Sequence, residues 1–248
     1  MGKLSGKVAV VTGASKGIGA AIAKAYGAEG ANVVVNYRSD KAGAERVVKE
    51  IQKSGSKAIA VEGDLSKAAD VKKLFAESKK AFAKLDVLVN NAGIYEFRPL
   101  EQIDEAHFHN HFNTNVLGLL LAVQEAAKNF NGSGSVINIS SIGALSPPAN
   151  ASVYSATKAA VDVITRSLAQ ELGPKQIRVN SLSPGVTETE GLDTLEKQDG
   201  FLDYAIQRTP LRRMAKPEDI AKVAVFLASD DAAWITGEVV PAGGGMRL

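Results

Sequence analysis

Tyr154 and Lys158 stand four positions apart in the run Tyr-Ser-Ala-Thr-Lys. In a helix that spacing puts both side chains on one face, one turn apart. A free tyrosine ionises near pH ~10, too high for acid/base work at neutral pH, and an ammonium group beside it stabilises the phenolate and draws that value down. Ser141 follows the β-branched run 136–140. If that run is a strand of a parallel sheet, its carboxyl end faces the ligand crevice, where a hydroxyl can orient a carbonyl oxygen. These groups suit proton transfer to or from an alkoxide, with tyrosine as the general acid/base.

Such chemistry needs a hydride carrier. Directly after the first apolar run come Gly13, Ala14, Ser15, Lys16, Gly17, Ile18 and Gly19, opening into an alanine-rich helix. Glycines at a strand-to-helix turn let the backbone bend tightly and approach a pyrophosphate, while the helix N-terminus offers free N–H donors. The Gly-x-x-x-Gly-x-Gly spacing differs from Gly-x-Gly-x-x-Gly and lacks the Lys-Ser/Thr ending of a triphosphate loop. A purely structural turn is the bland alternative. The second apolar run ends Asn36-Tyr37-Arg38, without the acid that would accept hydrogen bonds from the ribose hydroxyls of NAD. Lys16 and Arg38 are instead available to meet a 2′-phosphate, so NADP(H) is expected over NAD(H). Against this, both cations could be solvated surface charges, and Asp40 lies close by, although it could simply cap the next helix.

The elements that must position these residues follow a βαβ rhythm. Strands are expected at 8–12, 33–37, 58–62, 87–90, 136–140, 178–182 and 238–240. Helices are expected at 17–29, 41–53, 67–84, near 103–130, at 153–172 and at 218–228. Runs such as VAVV, VVV, VLV and VINI show little polar alternation. They suit strands covered on both faces, hence an α/β, single-domain, doubly wound parallel sheet of Rossmann type with helices on both faces. The stretch 184–210 reads as irregular, and 186–212 as a substrate lid over the crevice.

Composition narrows the classes further. The chain has 248 residues, 29 Lys+Arg against 27 Asp+Glu, and no cysteine. Scattered basic residues argue against a nucleic-acid partner, and the lack of cysteine excludes disulfides, thiolate catalysis and cysteine metal sites. Neither a signal peptide nor a bilayer-spanning run is legible, so a cytoplasmic location without membrane contact is expected. A myristoylation reading of Met1-Gly2 fails because Gly6 stands where Ser or Thr is wanted. Among His107, His109 and His111 only the first and last share a helical face, and no metal site is expected. These histidines read better as polar residues at the crevice entrance or a subunit contact.

The glycine loop, Asn90-Asn91-Ala92-Gly93, Ser141, Tyr154 with Lys158, and Pro184-Gly185 occur in that order, with 13 residues from Ser141 to Tyr154. Over its whole length the chain resembles the short-chain dehydrogenase/reductase family, and most nearly its 3-oxoacyl-carrier-protein-reductase-like branch. The resemblance implies a catalytic tetrad of Asn115, Ser141, Tyr154 and Lys158. In it Lys158 also binds the nicotinamide ribose, and Asn115 holds a water linking Lys158 to solvent. It further implies that Asp64 and Leu65 contact adenine and that Asn91, Ala92 and Gly93 lie beside the cofactor. Thr187 and Thr189, after Pro184 and Gly185, would hold the carboxamide and pyrophosphate. A homotetramer through the helices near 103–130 and 151–172 and the C-terminal strand is implied as well.

The chain also departs from that branch. Residues 129–134 carry no Arg or Lys beyond Lys128, where a carrier-protein reductase tends to be basic, and Ala242 replaces a frequently acidic residue. A small free ketone, diketone, sugar or polyol is therefore expected ahead of an acyl carrier. Tyr95, Phe97, Leu145, Pro147 and Leu192 could form an apolar wall for it. A module that senses NADP(H) without turnover is the alternative of another class, and the intact tetrad argues against it.

Overall fold

The structure, a computed structural model, describes residues 2–190 and 201–246, without the side chains of Phe201 and Tyr204. Seven parallel strands form one sheet in the order β3-β2-β1-β4-β5-β6-β7. They are β1 (Val8–Val11), β2 (Asn32–Tyr37), β3 (Ala58–Glu62), β4 (Leu85–Asn90), β5 (Phe130–Ile139), β6 (Ile177–Pro184) and β7 (Val239–Ala242). The helices are α1 (Gly17–Ala28), α2 (Lys41–Lys53), α3 (Ala68–Phe82), α4 (Glu105–Phe112), α5 (Gly118–Ala127), α6 (Ser152–Leu172), α7 (Phe201–Arg208) and α8 (Pro217–Ala228).

The unbroken apolar character of β1 has the expected cause, because both faces are buried. Ala9 and Val11 join Ile22 and Tyr26 of α1, Val47 and Ile51 of α2 and Leu227 of α8 in one core layer. Val10 points the other way and joins Leu74 and Phe75 of α3, Val123 of α5 and Val161 of α6 in the second layer. The chain runs outward from β1 through β2 to β3, then crosses back to place β4 on the other side of β1. That reversal opens a crevice beyond the carboxyl ends of β1 and β4, the position where open α/β sheets take their ligands.

Three expectations are corrected. First, the helix expected near 103–130 is broken. A short 3₁₀ turn at Leu100–Gln102 and α4 lead into a π-helical turn at Asn113–Leu117, and α5 follows. The wide turn contains the buried Asn115, and such π turns favour functional positions because the extra residue re-aims a side chain. Second, β5 begins at Phe130 rather than 136. Phe130 pairs with Leu85, and the ladder resumes at Ser135 against Val87; the intervening Asn-Gly-Ser-Gly hid the early pairing from a propensity reading. Third, the stretch expected to be irregular over 184–210 contains α7, whose Ala205 is buried. Eight residues between turn formers leave too little periodicity to see. The expected lid at 186–212 lies partly outside the described residues, which exclude Leu192. Among the described residues no helix is long and apolar enough to cross a membrane.

Candidate active site

Two sides of the crevice are built differently. On the first, the β1–α1 turn is clamped to the end of β4. The Thr12 hydroxyl donates to the Val89 carbonyl and accepts from the amides of Asn91 and Ala92, at 2.9 and 3.0 Å for the latter two. The Asn91 side-chain amide donates to the carbonyls of Thr12 and Gly13. From below, buried Asn36 of β2 accepts the Gly13 amide at 3.1 Å and donates to the carbonyls of Val61 and Gly63. Gly13 has a φ of 60°, and a Cβ on it would lie 2.8 Å from the Ala92 Cα. A Cβ on Gly19 would lie 2.4 Å from the Asn91 Nδ2. Close packing of turn against strand thus demands glycine at both positions.

This side fits a dinucleotide phosphate on the chain's own terms. No side chain caps α1 from its N-cap position, Lys16. The Gly17 amide is met instead by the exposed Glu190 carboxylate at 3.1 Å, an anion resting where the helix dipole favours negative charge. Thr189 reaches the same place, its Cγ2 lying 3.3 Å from where a Gly17 Cβ would stand. Lys16 and Arg38 are exposed, whereas Tyr37 is buried. The Asp64 carboxylate accepts from the Ser66 amide and hydroxyl. Burial pushes Asp64 up, but these bonds and the charges of Arg38 and Lys67 outweigh it and hold the carboxyl below its ordinary value. Leu65 is buried, and its carbonyl oxygen would lie 3.0 Å from a Cβ on Gly118.

The second side gathers the buried titratable groups. Lys158 is buried, and its Nζ donates to the Ile139 carbonyl at 2.8 Å and lies 5.8 Å from the centre of the Tyr154 ring. Burial pushes its pKa down to about 8, with Asp162 pulling upward. Tyr154 differs from the expectation of a lowered pKa. Burial pushes its phenol up, a hydrogen bond from Ser141 works against this, and Tyr95 adds to the rise. The desolvation of the phenolate exceeds what the chain's own groups return. Ser141 Oγ also accepts the Gly143 amide at 3.0 Å, which fixes its rotamer beside the tyrosine.

Asn115 is tied in from three directions. Its Oδ1 accepts the Ile94 amide at 2.8 Å, and its Nδ2 donates to the Ile94 carbonyl at 2.9 Å and to Thr157 Oγ1 at 3.0 Å. Thr157 in turn donates to the Tyr154 carbonyl at 2.6 Å. A Cβ on Gly93 would meet Asn115 Oδ1 at 3.2 Å and Lys158 Nζ at 3.6 Å, so glycine keeps open the space between amide and ammonium. The fold thus brings all four tetrad positions to one edge.

The remaining expected residues scatter more. Pro184 ends β6, and the Gly185 amide donates to Ala242, with a Cβ on Gly185 only 2.9 Å from the Gly243 Cα. Thr187 is buried and donates to the Gly185 carbonyl, while its backbone bridges to Ala215. Of the expected apolar wall, Tyr95 and Phe97 reach the Tyr154 ring, with centroids at 6.4 and 5.7 Å. Leu145 and Pro147 are exposed in the loop before α6. No group of three metal-ligating side chains occurs among the described residues.

Sequence reading missed Thr12, Asn36 and Thr157 as supports. Each is a small polar residue inside an apolar or catalytic run. That was the available signal, since a buried polar side chain there requires a partner.

A family model described as enoyl-(acyl carrier protein) reductase matches residues 13–247. The chain is 52% identical over 248 residues to an uncharacterised oxidoreductase of Methylorubrum extorquens, covering 100% of each. It is 38% identical over 255 residues to versicolorin reductase 1 of Aspergillus parasiticus, covering 98% of this chain and 97% of the relative. A solved short-chain dehydrogenase from Burkholderia cenocepacia in complex with NADP matches with a TM-score of 0.94 at 34% identity, covering 99% of this chain and 100% of that one.

Proposed function

This chain belongs to the short-chain dehydrogenase/reductase family of oxidoreductases, and we propose that it interconverts a ketone and a secondary alcohol with NADP(H), using Tyr154 as general acid/base. The observation that carries the reading is the joint placement of Ser141, Tyr154 and Lys158, with Asn115 bound through Thr157 to the same helix. When bound, the nicotinamide supplies or accepts the hydride. Ser141 orients the carbonyl oxygen and Tyr154 gives it a proton; in oxidation the phenolate takes one back. The Lys158 ammonium stabilises that phenolate and is positioned to hold the nicotinamide ribose. Asn115 fixes Lys158's surroundings, and with both Nδ2 hydrogens given to Ile94 and Thr157 it is the second lone pair of Oδ1 that would accept from a water returning protons from solvent.

NADP(H) is preferred because Lys16 and Arg38 flank the first side of the crevice without an acid at the end of β2, and a relative of the same fold is an NADP complex. On this reading Gly13, Ser15, Gly17, Ile18 and Gly19 cradle the pyrophosphate. Asp64 and Leu65 border the adenine, Asn91, Ala92 and Gly93 line the middle, and Pro184, Gly185, Thr187 and Thr189 close over the nicotinamide. The aromatic pair Tyr95 and Phe97 favours a free apolar ketone. A 3-oxoacyl-carrier-protein substrate is the second reading, favoured by the description of the matching family model and opposed by the lack of basic residues over 129–134. Assembly as a homotetramer is supported by Val163 of α6 and Leu120 of α5, both exposed on helices expected at the contact.

The test is NADPH and NADH oxidation against a panel of free ketones and a 3-oxoacyl carrier protein, with Tyr154→Phe beside the native chain. Turnover of a ketone by the native chain, lost in the variant while NADPH still binds, is expected. Binding without turnover on any carbonyl would favour a redox sensor, and an active Tyr154→Phe would remove the acid/base assignment.

A further inference from the structure

We infer that His111 is a positioning residue for the substrate face, holding Tyr95 and Phe97 against Tyr154 through the backbone amide between them. The inference rests on the proposed role of Tyr154. His111 is fully buried in α4. Its Nδ1 lies 2.9 Å from the His107 carbonyl oxygen, and the Glu96 amide donates to its Nε2 at 3.1 Å. A carbonyl oxygen only accepts, so Nδ1 must carry the proton. An amide N–H only donates, so Nε2 must be bare. The two contacts fix a single neutral tautomer.

The charged and titratable groups facing this ring are Glu96, Arg98 and His107. Burial outweighs their net effect and keeps His111 below the ordinary histidine value, which preserves the acceptor at neutral pH. His107 does not share this role: its Nδ1 is buried without a hydrogen-bond partner among the described residues and stands 3.7 Å from Glu96 Oε2. Both nitrogens of His111 are committed to backbone groups, so it is no free metal ligand.

What makes this more than a buried polar contact is where the held segment lies. Ile94 exchanges two hydrogen bonds with Asn115, its amide donating to Oδ1 and its carbonyl accepting from Nδ2, and the Glu96 amide donates one to His111. The two anchoring side chains stand four residues apart, His111 near the end of α4 and Asn115 in the π turn that follows it. Between and beyond the anchored positions stand Tyr95 and Phe97, whose rings contact the Tyr154 ring. The segment running from α4 into the π turn that carries Asn115 therefore also sets the wall against which a carbonyl substrate would lie. Loosening the Glu96 anchor should blur that wall without touching the cofactor side.

Two substitutions separate the roles of the two ring nitrogens. Gln at 111 can place an acceptor near the Nε2 position, whereas Asn reaches only the Nδ1 position. In His111→Asn, amide hydrogen exchange over residues 94–98 should quicken about tenfold, the equivalent of one lost net hydrogen bond. KM for the carbonyl should rise about five- to tenfold, with kcat and the NADPH dissociation constant within about twofold of native. His111→Gln should restore exchange and KM to within about twofold of native. Equal behaviour of the two variants, or a matching loss of NADPH affinity, overturns the inference.

Should either variant fail to fold, the native chain still decides the matter. It contains three histidines, so nitrogen-15 NMR can resolve their tautomers, assigned by elimination against His109→Gln and His107→Gln. His111 is expected as the Nδ1–H form, and an Nε2–H form overturns the assignment. The exchange and NMR measurements use no substrate, so a chain that turns over no ketone would fail the proposed activity while leaving this inference separately testable.

Discussion

The two sides of the crevice solve the same positioning problem by opposite means. The glycine-loop side, proposed to take the cofactor, is held by backbone: glycine turns pressed onto the end of β4, with Thr12, Asn36 and Asn91 pinning main-chain groups. Its geometry tolerates little side-chain volume, because a Cβ at Gly13 or Gly19 meets neighbouring atoms within 3 Å. The side proposed to react is held by side chains from the turn just after β5, from α6 and from the π turn between α4 and α5, with the buried Lys158 at its centre. Rigid main chain suits a ligand common to many reactions, while side chains on separate elements can be varied to suit a substrate.

The largest effect of a single substitution should come from the backbone side. Gly19→Ala would force its Cβ to within 2.6 Å of the Gly13 carbonyl oxygen. Overpacking of this kind typically costs about 1–3 kcal/mol, and displacing the turn should also abolish measurable NADPH binding. Normal NADPH affinity in a folded Gly19→Ala chain would show that the turn has room for the added Cβ.

Next comes the buried cation. The pKa of Lys158 is about 8 in the folded chain and near the ordinary lysine value of ~10.4 when unfolded. Between these values the unfolded chain binds more protons, so stability rises with pH. Below pH 8 the buried ammonium carries its full cost, about 3 kcal/mol. Lys158→Met should therefore unfold at a higher temperature than the native chain at pH 7, with the gap closing toward pH 10, while turnover is lost. A native chain as stable at pH 7 as at pH 10 relative to this variant would contradict the buried charge. Such an exchange of stability for activity is expected where a charge must be kept dry.

Smaller effects should separate the sides cleanly. Arg38→Ser should weaken NADPH about ten- to hundredfold and leave NADH nearly unchanged, as loss of one charge-assisted contact implies; equal weakening of both cofactors would remove the 2′-phosphate reading. Phe97→Ala should raise KM for an apolar ketone several-fold with NADPH affinity unaltered, read by comparing steady-state kinetics with cofactor titration. The smallest change is expected of Glu190→Gln, which removes an exposed carboxylate from the Gly17 amide. NADPH should bind about two- to threefold tighter, within the range of helix-terminus electrostatics, and calorimetry would detect it.

The strands and most helices were legible because their buried faces leave a period in the sequence. Val10 flanked by Ala9 and Val11 reads as a strand covered on both sides, and it is one. The pairing of Tyr154 with Lys158 was legible for the same reason, since four residues make one helical turn. The break in the helix expected near 103–130 was not. The stretch around Asn115 carries no glycine or proline before Gly118, and a π turn changes hydrogen bonding without changing composition.

By itself, then, the sequence determined what depends on local period and residue chemistry: a parallel α/β sheet, a glycine turn before α1, and a tyrosine with a lysine one turn away. Only the tertiary structure decided what depends on desolvation and on contacts between distant segments. Burial raises the Tyr154 phenol instead of lowering it and pushes Lys158 down. His111, which spacing alone would leave at the crevice entrance or a subunit contact, is buried and accepts the amide of the segment facing Tyr154. The cost of a buried charge or the partner of a buried imidazole is set by neighbours far away in the chain, and residue spacing along one helix carries no record of them.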